Sequence, residues 1–521
     1  MRVFAVWLLC LLLVACQPRA QTLAPTLEAA PEASLALPDV ALSASEEAEV
    51  DGMVLALPES WTGDLQGMRE RRLVRILVPY SKTFYTVDRG QQDGISYSYG
   101  KAFEDWLNRH QPFPRRSLSW EVMFIPVARD QLLPKLLAGE GDIAAGGLTI
   151  TTQRLEQVDF ASPFVSAIRE ALVTGPASQP ISRLEEMSGY EVTVRRSSSY
   201  HEHLLALNAQ FKARGMAPVR IMLADENLES EDLLEMLNAG LLNAVVVDRY
   251  IAQAWQPLYQ RLRIHDAFYI HQDAEFAWAI RPGSPQLKEA LDSFARSHRL
   301  GTPFGNALRV RYVTQSGKRL RNPTQSGKRL RNPTREAEMR KFESLVALFQ
   351  KHAMTYDFDY LMLMAQGFQE SRLNQAARSP MGAVGVMQLL PSTAADFGIQ
   401  GVDKSADRNI EAGSKYMRLL AARYLDDPQL TDMNRTLLSF AGYNAGPGNL
   451  RKFRRLAEKS GLDPNVWFGN VEHAAARVVG RETVDYVANI YKYYLAYKLV
   501  EFRHQQRQQG KSQLRERQAT R

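Results

Sequence analysis

The strongest structural signal in the C-terminal half is YLMLMAQGFQESRLNQAARSPMGAVGVMQLLP, residues 360–391. Residues 361–368 would be apolar on nearly every side of a helix, which predicts a buried helix. Glu370 follows at its end, and none of residues 371–395 is Asp or Glu. Burial favours the protonated form of a carboxyl group, which is the form a general acid needs. We therefore interpret Glu370 as a candidate catalytic acid rather than as a solvated helix residue.

The surroundings of this stretch predict a mostly helical domain, which we place at residues 346–500. The preceding segment TREAEMRKFESLVALFQKHAM, residues 334–354, starts with a Thr cap and has apolar residues at helical spacing. The last segment, 501–521, is polar and basic without apolar periodicity, so we expect a disordered tail.

The N-terminal half has a different pattern, and the 521 residues are too many for one ordinary domain. LVRILVPY (73–80) and EVMFIPV (121–127) have the form of strands, whereas GKAFEDWLNRH (100–110) and RDQLLPKLLAGE (129–140) have the form of helices. Strands that alternate with helices predict a parallel α/β sheet. We place this domain at residues 71–305.

The first residues predict export. Thirteen apolar residues, Val3 to Ala15, follow one arginine, which is too short a run to span a bilayer and is typical of a secretory signal. The run ends in LVAC and resembles the lipobox of bacterial lipoproteins, which implies a signal over 1–16, lipidation of Cys16 and, from Gln17, sorting to the outer membrane. Cleavage further on by an ordinary signal peptidase is the alternative. Residues 17–70 begin with a stretch rich in Ala, Pro, Ser and Glu, so we expect a flexible tether.

A basic connector is expected between the two domains, at residues 306–345. TQSGKRLRNP occurs twice in tandem, at 314–323 and 324–333, which indicates a recent duplication in an exposed segment. The chain has a net charge of +7. A solvated linker is our preferred interpretation, and contact with anionic envelope material is the alternative.

One segment of the α/β domain carries a family resemblance. GEGDIAAGGLTITTQRLEQVDFASPF, residues 139–164, resembles the extracellular solute-binding proteins of family 3. The resemblance extends over residues 73–305 and implies a two-lobed, periplasmic-binding-protein-like domain that closes on amino acids.

That resemblance implies a ligand cleft. Arg154 matches the arginine that grips a ligand carboxylate, a task suited to two parallel charge-assisted bonds. Ser198 and Ser199 begin a predicted helix, whose free N–H groups suit anions. Asp248 matches a carboxylate that binds an α-amino group. For each residue alone, a surface ion pair or a helix cap remains the alternative.

A second resemblance concerns the helical domain, where five motifs occur in a fixed order. They are QES (369–371), SPMGAVGVMQLLP (379–391), NIEAGSKYM (409–417), AGYNAGPG (441–448) and ETVDYVANI (482–490). This order resembles the catalytic domain of the soluble-type lytic transglycosylases. The resemblance implies a mainly α, lysozyme-like fold and cleavage of peptidoglycan between N-acetylmuramic acid and N-acetylglucosamine.

The resemblance also assigns roles to residues. Glu370 is expected to protonate the leaving oxygen and then to act as base, so that an internal sugar hydroxyl gives a 1,6-anhydro product. The supporting and sugar-binding positions are Ser379, Gln388, Tyr443, Asn444 and Tyr486, the last expected to orient the glutamate. Gln388 and Asn444 could instead brace loops.

The expected partners are glycan strands, outer-membrane lipid and an amino-acid or wall-peptide effector. The sequence shows no cluster of metal-ligating residues and no phosphate-binding loop, so we expect no cofactor, no metal and no nucleic-acid partner. A hydrolytic muramidase and a non-catalytic wall-binding lipoprotein are the alternative functions.

Overall fold

The computed structural model describes residues 37–55, 57–115, 117–316 and 330–519. The signal, Cys16 and most of the duplicated decapeptides lie outside the described residues. Within those ranges, no helix is both long and apolar enough to cross a membrane.

The α/β domain contains twelve strands among the described residues. They are β1 (Leu73–Pro79), β2 (Thr86–Asp88), β3 (Gln91–Asp93), β4 (Glu121–Val127), β5 (Ile143–Thr149), β6 (Asp159–Phe160), β7 (Val165–Thr174), β8 (Glu191–Arg195), β9 (Arg220–Ala224), β10 (Ala244–Asp248), β11 (Arg263–Ile264) and β12 (His271–Ile280).

The α-helices of the described residues follow in chain order. They are α1 (Ala44–Asp51), α2 (Leu65–Arg71), α3 (Ile95–His110), α4 (Leu132–Leu137), α5 (Thr152–Leu155), α6 (Ser199–Ala213), α7 (Ser230–Ala239), α8 (Arg249–Trp255), α9 (Pro285–His298), α10 (Pro303–Arg309), α11 (Glu336–Tyr356), α12 (Tyr360–Ser371), α13 (Pro391–Asp396), α14 (Ala406–Tyr424), α15 (Asp432–Ala445), α16 (Pro447–Lys459), α17 (Glu472–Val478) and α18 (Arg481–Ala519).

The main sheet has the order β4-β1-β5-β12-β7-β10-β8-β9. It contains two parallel groups, β4-β1-β5 and β10-β8-β9, which form the first and second lobes. The long strands β12 and β7 join the groups and run antiparallel to their neighbours. The predicted parallel pairing is therefore right within each lobe and wrong for the two strands that cross between them.

The helical domain encloses α12, where all residues from 361 to 369 are buried, as the apolar run predicts. Asp359 caps the start of α12 by accepting a hydrogen bond from the Leu361 backbone N–H. Arg372 and Leu373 both adopt left-handed backbone conformations, which end the helix. Glu370 is thereby fixed in the last turn, half-buried.

Three expectations about the segments outside the two domains are wrong in part. The expected tether contains α1 and α2, because Ser43 caps α1 in a capping box and Asp64 caps α2. Part of the expected linker is α10 and the start of α11, and Leu330 of the second decapeptide is buried. The expected disordered tail continues α18 to Ala519, because its Gln, Arg, Lys and Leu residues are good helix formers.

The helical domain contacts both lobes. On the second lobe, the Lys492 ammonium lies 2.6 Å from the Asp232 carboxylate and 2.8 Å from that of Glu235. Lys492 belongs to α18, and both carboxylates belong to α7. On the first lobe, the Arg89 backbone N–H donates to the Ala476 carbonyl at 3.0 Å.

Candidate active site and ligand cleft

The half-buried carboxyl group of Glu370 is held by a tyrosine from the long C-terminal helix. The Tyr486 hydroxyl donates to Glu370 Oε1 at 2.5 Å. Burial and the neighbouring Glu370 carboxylate raise the pKa of Tyr486 well above its ordinary value, so the phenol keeps its proton as a donor. Gln366 Nε2 in turn donates to the Tyr486 oxygen at 3.4 Å. This contact places the Tyr486 hydroxyl against the Glu370 carboxyl group, and the resemblance-based expectation that Tyr486 orients the glutamate stays a prediction.

The loop after α12 is held by a buried side-chain amide, Asn409, that sequence reasoning did not single out. Asn409 is fully buried; its Nδ2 donates to the Val384 carbonyl, and its Oδ1 accepts from the Met387 backbone N–H. A Cβ at Gly385 would lie 2.3 Å from Asn409 Nδ2, so this position requires glycine. Asn409 is the first residue of the motif NIEAGSKYM, and this position in the motif was the one sequence signal for its role.

Tyr443 packs in the same region. Its hydroxyl donates to the Met387 carbonyl at 2.8 Å, and burial together with the Glu370 charge raises its pKa. Asn444 accepts through Oδ1 from the Thr483 hydroxyl at 2.8 Å, which ties it to the helix that carries Tyr486.

Ser379 and Gln388 shape the loop itself. The Ser379 hydroxyl accepts from the Ala383 backbone N–H at 3.0 Å. Gln388 has a left-handed backbone (φ 50°), and its amide donates to the Gly385 carbonyl at 2.9 Å. The structure therefore gives Gln388 a bracing contact, which was the alternative interpretation of this residue.

The four predicted cleft residues lie together. Arg154, Ser198, Ser199 and Asp248 all line a cavity of about 230 Å³ between the lobes. The Arg154 guanidinium donates to the Thr149 carbonyl at 2.8 Å, and it also donates to a carbonyl of the second lobe. With five N–H donors, it retains others for a ligand.

The two serines have different partners. Ser198 caps α6, since its hydroxyl accepts from the His201 backbone N–H, as the alternative interpretation expected. The Ser199 hydroxyl donates to the buried carboxylate of Glu170 at 2.8 Å.

Asp248 is buried, and its Oδ1 has no hydrogen-bond partner among the described residues. Burial, followed by the nearby Glu170 charge, raises the pKa of Asp248 to about 8. A buried acceptor that faces a cavity without a partner is costly, and a ligand donor would relieve that cost. This feature favours a retained ligand site.

Two arginines of the cleft were missed. Arg129 pairs with Glu229 at 2.8 Å and donates to the Gly146 carbonyl, while Arg195 donates to the Leu228 carbonyl. Arg129 lies two residues after the carboxyl end of the parallel strand β4. Ligands bind at such strand ends in α/β sheets, so its position in the sequence could have indicated a binding role. Among all the described residues, the cleft included, no group of three or more His, Cys, Asp or Glu residues could hold a metal.

Two families match the chain, one for each domain. Bacterial extracellular solute-binding proteins, family 3, match residues 76–300. The transglycosylase SLT domain matches residues 347–464. Both matches fall within the domains that the sequence predicts.

Curated relatives match across both domains. The membrane-bound lytic murein transglycosylase F of Desulfosudis oleivorans is 26% identical over 467 residues, 85% of this chain and 95% of the relative. The protein of the same name from Saccharophagus degradans is 28% identical over 405 residues, 73% of this chain and 74% of the relative. A solved ancestral arginine-binding protein bound to glutamine, 22% identical, covers 46% of this chain and 98% of its own, with a TM-score of 0.37. The chain thus has a family 3 solute-binding domain ahead of a transglycosylase SLT domain, and over most of its length it is similar to proteins named membrane-bound lytic murein transglycosylase F.

Proposed function

We propose that this chain cleaves the β-1,4 bond between N-acetylmuramic acid and N-acetylglucosamine in peptidoglycan, without water, to give 1,6-anhydromuramoyl ends. The observation that carries the proposal is the 2.5 Å hydrogen bond between Tyr486 and Glu370 in the last turn of a buried helix. The domain match and the curated relatives support the same substrate.

The reaction needs one carboxyl group in two roles. Glu370 first protonates the glycosidic oxygen, while the substrate's N-acetyl group stabilises the oxocarbenium-like centre. The ionised Glu370 then accepts the proton of the muramic C6 hydroxyl, whose oxygen attacks the anomeric carbon of the same sugar. This internal nucleophile needs no second carboxylate, because a hydroxyl group held within the same sugar has a much higher effective concentration than a water molecule from solution. The absence of Asp and Glu from residues 371–395 fits a mechanism with a single catalytic carboxyl group.

Replacement of the acid tests this role. Glu370→Gln should lower turnover of purified sacculi by at least about 100-fold, the range of general acid–base catalysis. Its melting temperature should stay within a few degrees of wild type, because the amide and carboxyl groups have similar sizes. The matched control is Glu336→Gln, an exposed glutamate on α11, which should retain full turnover. Retention of more than a few per cent of activity by Glu370→Gln would remove it as the acid.

We also propose that the cleft binds an amino acid or a cell-wall peptide through its carboxylate on Arg154 and its amino group on Asp248, and that this binding modulates cleavage. Helix α7 supports the link: Ser230 at its start lines the cleft, while Asp232, half a turn later, holds Lys492 of the helix that carries Tyr486. A ligand shifts the lobes only through different affinities for their open and closed states.

Calorimetric titration of amino acids and wall peptides, with sacculus turnover measured in parallel, tests this regulation. Wild type should bind and change its rate, whereas Arg154→Ala should do neither. Binding without any change in rate would mean that the domain merely positions the enzyme on the wall, and no binding at all would remove the ligand site.

We propose attachment to the inner face of the outer membrane through lipidated Cys16. The relatives' description as membrane-bound supports an envelope location. Cys16→Ala should move the protein from the membrane fraction to the soluble periplasmic fraction. An unchanged distribution would contradict lipid anchoring.

A further inference from the structure

The segment formed by residues 37–55 and Leu57 packs on the helical domain, although it precedes the solute-binding domain in the sequence. Val50 of α1 is fully buried. The Pro38 carbonyl accepts from the Tyr424 hydroxyl at 2.7 Å, and the Leu57 backbone N–H donates to the Ser460 carbonyl at 3.2 Å. Contacts at both ends and in the middle show that this segment lies along the catalytic domain.

Charge is matched along the same contact. Helix α1 (ASEEAEVD) is acidic, and α16 (PGNLRKFRRLAEK) is strongly basic. Their ion pairs join residues about 400 positions apart: Glu46–Arg451 at 3.1 Å, Glu49–Lys452 at 2.6 Å, Glu47–Arg455 at 3.0 Å, and Lys459 with both Glu47 and Asp51 at 2.5 Å. Every pair has the acid on α1 and the base on α16, so the two faces are complementary as surfaces.

After α1 the chain crosses to the first lobe and is fastened there too. The Trp61 backbone N–H donates to the Gly139 carbonyl at 2.8 Å. The buried guanidinium of Arg75 donates to the Glu59 carbonyl at 3.0 Å and to the Trp61 carbonyl at 2.9 Å. Residues 37–55 and 57–61 therefore contact both the catalytic domain and the first lobe, in addition to the connector that follows the solute-binding domain.

We propose that residues 37–55 form an electrostatic clasp, in which acidic α1 docks on the basic face of α16. The clasp brings the N-terminal part of the chain onto the catalytic domain, which comes last in the sequence. An anchor attached before residue 37 therefore leads first to the catalytic domain and only then to the solute-binding domain.

The clasp predicts a particular response to salt. Its ion pairs are partly exposed, and the Debye length falls from about 10 Å at 0.1 M to about 3 Å at 1 M ionic strength. Raising the salt concentration should loosen α1 while the buried cores of both domains, which depend on apolar packing, remain intact.

Hydrogen exchange of the full-length mature chain, read by mass spectrometry over residues 44–51, tests the clasp. Glu47→Lys/Glu49→Lys should raise the exchange rate of α1 about tenfold or more, as expected for local opening. Adding Lys452→Glu/Arg455→Glu, which restores opposite charges, should recover at least half of the lost protection. The matched control, Glu336→Lys/Glu343→Lys on the exposed face of α11, carries the same change in charge and should leave α1 unaffected.

Two results would overturn the clasp. The first is unchanged protection of α1 in Glu47→Lys/Glu49→Lys, which would show that apolar packing alone holds the helix. The second is failure of the compensating pair to restore protection while the two domain cores keep wild-type exchange, which would show that these charges do not act on each other.

Discussion

Replacing Tyr486 by Phe removes one hydroxyl group and keeps the ring that fills the space beside Glu370. The lost bond is a 2.5 Å hydrogen bond to a carboxylate, and such charge-assisted bonds contribute about 1.5–3 kcal/mol. If this bond holds Glu370 in its reactive position, the variant loses the same free energy of transition-state stabilisation. Since about 1.4 kcal/mol corresponds to tenfold in rate, kcat should fall about 10- to 150-fold.

The assay is turnover of defined glycan strands with chromatographic separation of products, so that kcat and KM are obtained separately. A positioning role lowers kcat and leaves KM within about twofold, because Tyr486 acts through Glu370. Tyr491→Phe is the control: it removes a hydroxyl from the same helix, 2.8 Å from Asp225 of the solute-binding domain, and should keep nearly full kcat. A folded Tyr486→Phe with more than half of the wild-type kcat would refute the positioning role.

Three further substitutions test other parts of the structure. Asp248→Asn should stabilise the protein increasingly as pH rises from about 4 to 8. The pKa of Asp248 in the folded protein is raised to about 8, so the wild type loses stability across this pH range whereas the Asn variant does not. Thermal melts of both proteins at several pH values test this, and a stability difference that does not change with pH would contradict it. Lys492→Met removes the buried cation that Asp232 and Glu235 share, and it should lower the free energy of unfolding by about 3–5 kcal/mol in denaturant titrations, with Lys498→Met near zero. Equal effects of the two substitutions would contradict the importance of this buried ion cluster. Gly385→Ala should lower the free energy of unfolding by about 1–3 kcal/mol and remove most of the activity. Gly398→Ala, at a position with open space around it, should keep its activity. Greater loss of activity in Gly398→Ala than in Gly385→Ala would contradict the packing of the active-site loop.

The sequence predicted the helical domain well because its signals are local. The apolar run before Glu370 predicted the buried helix, and the family motifs singled out Tyr486, whose hydroxyl contacts Glu370 in the structure. The network behind the loop was harder to predict, because the partners of Asn409 are backbone groups of Val384 and Met387. Backbone partners leave no trace in side-chain identity.

Long-range pairing explains the errors. Helix α1 is polar and rich in Ala and Glu, so its composition alone indicated a tether. Its basic partner, α16, lies about 400 residues away in the sequence, where no local pattern connects the two. The antiparallel strands that join the lobes also escaped prediction, because strand direction depends on chain crossings that no local pattern records. The raised pKa of Asp248 arises from burial beside Glu170, which a sequence does not display.

The central claim is that Glu370 serves as acid and then as base while a sugar hydroxyl replaces water. Digestion of purified sacculi in oxygen-18 water, followed by mass spectrometry of the muropeptides, tests it directly. The account predicts 1,6-anhydromuramoyl ends without oxygen-18 at the muramic C1, formed by wild type and lost in Glu370→Gln. Reducing muramic ends that carry oxygen-18 would show hydrolysis and contradict it.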